Sequence, residues 1–81
     1  VKLIFDDALA GVAIDRFGSD VMMINNNNDT FTINCEVAVS SQFFGWIAGL
    51  GKQVKIESPE NVKTQYRNFL KMCLANYGEE I

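Results

Sequence analysis

Few side chains in this 81-residue sequence have the types and spacing that chemistry requires, and each has a plainer structural role beside it. Asp6 and Asp7 are neighbouring carboxylates, the kind of pair that can share acid and base duties. They also follow an alternating apolar run at a helix start, where capping and the helix dipole account for both. Cys35 and Cys73 are the only thiols, and with no histidine in the sequence they cannot complete a tetrahedral zinc shell. Both fall on the apolar side of their elements, so buried free thiols are expected. The polar run Asn25–Asp29 lacks the spaced acids, the glycine and the closing glutamate of a calcium loop, and reads as a turn. Lys63, Arg67 and Lys71 recur every fourth residue, so they share the side of a helix away from its apolar stripe. There they could grip an anionic effector, a phosphate or an acidic partner face, a solvated surface being the plainer reading. No nucleophile with an activating base and no glycine loop between strand and helix is present, so no catalytic residue is assigned and no cofactor or metal is expected.

Four apolar residues are candidates for an interface instead. Trp46 is the lone tryptophan and lies on a glycine-rich helix, where it could fill a partner's pocket or pack its ring into the core. Phe44 falls about 100° off the stripe of Phe43 and Ile47, so one of the two adjacent rings is exposed unless another element or subunit covers it. Ile4 and Met23 (or Met22), with Ala38, are placed on the sheet face away from the first two helices, where they would make a modest apolar patch.

The elements that must position these residues follow from periodicity. Val1, Leu3 and Phe5 alternate as one buried face of a strand, and Leu9, Val12, Ala13 and Phe17 carry the stripe of a helix over about 7–17 that stops at Gly18. Val21 to Ile24 and the alternating run Phe31 to Val39 predict a hairpin around the asparagine turn. Ser40 and Ser41 cap a helix bearing Phe43, Trp46, Ile47 and Leu50, which Gly51 ends; Gly45 and Gly49 in it would let another backbone come close. Val54 and Ile56 mark a last strand. Ser58 as cap and Pro59 at the first helical position open a final helix, whose stripe of Val62, Tyr66, Phe69, Leu70, Cys73 and Tyr77 runs to Gly78. This order predicts an α+β fold, a ferredoxin-like βαββαβ sandwich with an additional C-terminal α-helix. The stripe of that helix must be buried over the bare sheet face, at the domain edge or on another subunit.

Composition sets the outer limits. An apolar share of 48% suits one small globular domain over residues 1–81, and a core of this size supplies on the order of 3–5 kcal/mol, which favours a partner. A net charge of −3 argues against wide contact with a phosphate backbone, and no apolar run reaches the length of a membrane span. The outer face of the central strands offers Lys2, Ile4, Thr32, Asn34 and Glu36 with no aromatic for base stacking, so direct nucleic-acid contact is not expected. The sequence opens inside a strand without Met, as an excised domain would, so further domains are expected upstream, in a cytoplasmic protein.

Taken together, Phe5-Asp6, Phe17-Gly18, the strand Phe31–Val39, Trp46, Leu50-Gly51, Val54–Pro59 and Tyr77 reproduce an ordered pattern over nearly the whole chain. In that pattern the chain resembles the C-terminal extension (WCX) domain of bacterial WYL-type helix-turn-helix transcriptional regulators. The resemblance implies a parent chain with an N-terminal DNA-binding domain and a central WYL sensor domain. It further implies a non-enzymatic accessory domain that contributes to a homodimer and relays the effector signal to the DNA-binding heads. It assigns no ligand-binding side chains. The alternatives of the same topology are an ACT-like small-molecule-sensing domain and, more weakly, a single-stranded nucleic-acid binder.

Overall fold

Alternation of buried and exposed residues builds β1 (Lys2–Asp6), in which Leu3 and Phe5 are fully buried. The computed structural model describes residues 1–78; residues 79–81 of the expected single domain lie outside the described residues. After β1 the Asp6 carboxylate accepts a hydrogen bond from the Ala8 N–H, opening a 3₁₀ turn (Asp7–Leu9) that runs into α1 (Ala10–Phe17). Gly18 ends α1 with φ of 96°, a conformation open to glycine at little cost, and a Cβ there would lie 3.1 Å from the Asp20 carboxylate.

The hairpin is shorter than its alternation predicts. Its arms are β2 (Ile24–Asn25) and β3 (Thr30–Asn34), with Val21–Met23 and Cys35–Val39 outside the strands. Between the arms Asn27 and Asp29 adopt positive φ, and the Asn25 side chain accepts from the Asn27 N–H at 2.7 Å. The chain then enters α2 (Ser41–Gly49), capped by the Ser40 hydroxyl, which accepts from the Phe43 N–H. A second 3₁₀ turn (Gly51–Gln53) leads to β4 (Val54–Ser58) and, through a cis Ser58–Pro59 peptide, to α3 (Glu60–Ala75). Ser58 thus belongs to the strand, and Pro59 takes the capping position expected of Ser58.

The sheet order is β2-β3-β1-β4 and every neighbouring pair is antiparallel. With β3 inserted between β1 and β2, this is the split arrangement of a ferredoxin-like βαββαβ sandwich, and α3 is the additional helix. The register sets Leu3 beside Ile33 and Ile56, and Phe5 beside Phe31 and Val54, so six apolar side chains form one layer under the helices. Phe5 and Phe31 stack with centroids 5.2 Å apart. Ala13 of α1, Phe43 and Ile47 of α2 and Val62 of α3 complete the core from above. Each large side chain buried here contributes about 1.5–3 kcal/mol of transfer free energy.

α3 does not cover the bare sheet face. It packs on the helical side, against β4 and α2, and its apolar stripe is engaged with the core as far as Phe69. Val62 is buried and Tyr66 and Phe69 are half-buried, whereas Leu70, Met72, Cys73 and Tyr77 are exposed. The expected continuous stripe is therefore split, and the expected burial of Cys73 is corrected to an exposed thiol. Gly45 and Gly49 face open space, with no atom within 4 Å of an added Cβ, so no described backbone of this chain makes the close approach their spacing suggests.

Candidate functional site

Phe43 and Phe44 are successive residues on α2, so their side chains diverge by about 100°. Phe43 points into the sheet and Phe44 into α3, where Tyr66 and Phe69 lie 5.4 and 5.6 Å from it between ring centroids. Both rings are buried, which resolves the question of which one is exposed and withdraws Phe44 from any free surface. Trp46 is half-buried in the seam between α1 and α2. Its ring meets Phe17 edge-on at 5.7 Å and Phe5 at 6.3 Å, and the Arg16 guanidinium sits 5.2 Å from its centroid. Such a cation–π contact at a partly exposed site contributes about 0.5–1 kcal/mol. Trp46 thus fastens the two crossover helices while remaining partly exposed. Nothing in the sequence singles out Arg16 except its place in the last turn of α1.

The open sheet face carries Lys2, Ile4 and Asp6 from β1, Thr30, Thr32 and Asn34 from β3, and Lys55 and Glu57 from β4. Ile4 is half-buried there, opposite Thr32 and Lys55. Met23 is not its neighbour in an outer patch: it packs, half-buried, against the core, while Met22 is exposed and Ala38 lies outside the strands. Ile24, opposite Thr32, takes the outer place expected of a methionine. Between Ile4 and Ile24 the Thr32 hydroxyl is sealed by the Asn26 amide at 2.9 Å, so the face is mixed rather than an apolar plate.

The basic series on α3 divides. Lys63 pairs with Glu60 at 3.4 Å, and Arg67 donates to the Thr64 hydroxyl at 3.3 Å. Lys63 and Arg67 face β4 rather than standing opposite the apolar stripe, because rows three and four residues apart on a helix are adjacent. They flank a groove of about 420 Å³ whose other walls are Val54, Ile56, Tyr66 and Leu70. Lys71 is exposed and does not line it. Across β4, Lys55 and Glu57 form an exposed ion pair at 3.5 Å. Among the described residues the outer edge of β4, from Val54 to Glu57, has no strand beside it. That edge was legible in principle, since the last strand of a split βαββαβ sheet is always an end strand.

Among the described residues two groups have shifted titrations. Burial pushes the Cys35 thiol up, offset in part by the Val1 amino group and the Arg16 guanidinium, and its sulfur lies 3.6 Å from the Val1 carbonyl. Burial likewise raises the Tyr66 phenol. Neither shift prepares a nucleophile, because a raised thiol is mostly protonated near neutral pH. Among the described residues no three His, Cys, Asp or Glu side chains gather where a metal ion could bind, and no helix is long and apolar enough to cross a membrane. Among the described residues the arrangement leaves a free sheet edge beside a groove and an exposed helix end.

No curated protein and no solved structure matches the chain. The family model of the WCX domain matches residues 1–74, a span that includes every strand, α1, α2 and all but the last residue of α3. With that match laid over the split sheet and its added helix, the chain belongs to the WCX domain family, a family of regulatory accessory domains.

Proposed function

We propose that this domain is the C-terminal accessory module of a bacterial WYL-type transcriptional regulator. It contributes to a homodimer and relays the effector state of an upstream WYL sensor to an N-terminal DNA-binding domain. The family match over residues 1–74 carries the reading. The geometry supports it, since the aromatic side chains of α2 and α3 serve packing while β4 and the end of α3 remain free for neighbours. The domain is non-enzymatic, works in the cytoplasm and touches no DNA itself. A relay of this kind acts by favouring one of two dimer arrangements, so an effector must bind the two with different affinity.

The test begins with the complete reading frame. A helix-turn-helix and an SH3-like barrel are expected before Val1, whereas a catalytic domain there would favour the ACT-like alternative. In the full-length protein, deletion of residues 1–78 is then expected to shift the dimer toward monomer in sedimentation and to weaken operator binding, with the upstream domains still folded. Unchanged assembly and unchanged operator affinity would overturn the reading.

A further inference from the structure

We infer that the free edge of β4 is a self-recognition strand, pairing antiparallel with β4 of a second copy about a two-fold axis at Ile56. The inference rests on the dimeric reading above and names the surface that makes the contact. The sheet ends at β4 on one side and at β2 on the other, and β2 has only two residues, too few to template a partner. β4 has five, contains no proline, and no turn or loop hydrogen bond among the described residues occupies the backbone of Val54–Glu57. A five-residue edge with free N–H and C=O groups can add a strand.

Charge chooses the occupant and the register. Side-by-side antiparallel strands related by a two-fold axis keep each residue opposite one of the same face. Centred on Ile56, the pairing sets Lys55 opposite Glu57 of the second copy, and Glu57 opposite its Lys55. Both residues are exposed, and they already share a face, as their 3.5 Å ion pair demonstrates. Shifted by one step of the pleat either way, the same edge sets Lys55 against Lys55 or Glu57 against Glu57. A lone lysine would protect this edge from its own copy; lysine followed two residues later by glutamate makes one register attractive and its neighbours repulsive. On the inner face, Val54 and Ile56 of the second copy then lie along the groove lined by Tyr66 and Leu70, and they cover the Leu70 side chain, which is 40% exposed. The bulge between β1 and β4, where Lys2 pairs with Ser58 and Leu3 with Ile56, leaves the exposed–buried alternation of Val54 to Glu57 intact.

The experiment is sedimentation equilibrium of the full-length protein and of two charge reversals in it. K55E and E57K are each expected to weaken self-association roughly tenfold, because each places two like-charge pairs opposite one another. An equimolar mixture of the two variants is expected to recover association, since every facing pair is then of opposite sign. Circular dichroism of each variant confirms that the fold is kept, both positions being exposed. A wild-type dimer indifferent to the reversals, or singles that the mixture fails to rescue, overturns the β4 contact and leaves the dimeric reading standing. A full-length protein that stays monomeric at all concentrations overturns both.

Discussion

Gly45 stands mid-helix in α2 with its bare side toward solvent, and an added methyl group would touch nothing within 4 Å. A glycine there carries only its propensity cost, so Gly45→Ala is expected to raise stability by about 1 kcal/mol in urea denaturation. A loss instead would show that this side of α2 is covered in solution. The sequence presents Gly45 and Gly49 as a spaced pair that could admit a close backbone, and spacing alone cannot tell which way the pair faces. The same limit governs Cys73, whose position repeats with Tyr66 and Phe69 yet lies beyond the last layer able to cover it. Lys63 and Arg67 were legible as a basic row, but not as the wall of a groove, because that depends on where α3 settles beside β4.

α3 shows how a periodic pattern can outrun its support. Its 16 residues extend about 24 Å, whereas the five residues of β4 beneath extend about 17 Å, so the distal turns have no sheet to lie on. Val62 is buried in the core, and Tyr66 and Phe69 are held by aromatic contact with Phe44; Met72 and Tyr77 are 71% and 84% exposed. Phe69→Ala is expected to cost about 2–3 kcal/mol, below the range of a fully buried phenylalanine, while Met72→Ser and Tyr77→Ser should each stay within about 0.5 kcal/mol. Urea midpoints of the three variants check the division, and a large loss at Tyr77 would show that the distal half is covered. At the hairpin, alternation overshot in another way: Phe31 to Val39 keeps period two, but the backbone pairing ends where Cys35 and Val1 exchange hydrogen bonds, and among the described residues no strand pairs with the run beyond Cys35.

The whole topology was legible because each element carries its own start and stop, and because a β1-α1-β2-β3-α2-β4 order admits few right-handed arrangements. What lay beyond the sequence was the side on which the surplus helix settles, a matter decided by Phe44, Tyr66 and Phe69 meeting across elements. The molecule should also weaken in alkali. Cys35 and Tyr66 both hold their protons more tightly when folded, so their contribution is complete below the ordinary cysteine value of about 8.5 and is lost as pH rises past about 10. Melting temperatures between about pH 8 and 11 are expected to fall less steeply for Tyr66→Phe than for the wild type, and parallel curves would contradict it. The exposed length of α3 has a geometric corollary: the continuous helix stands about 9 Å beyond the contact of Phe69 with Phe44, as far as Ala75. A change of about 10° in the direction of that overhang displaces its end by about 1.5 Å, enough to make or break van der Waals contact with a neighbour.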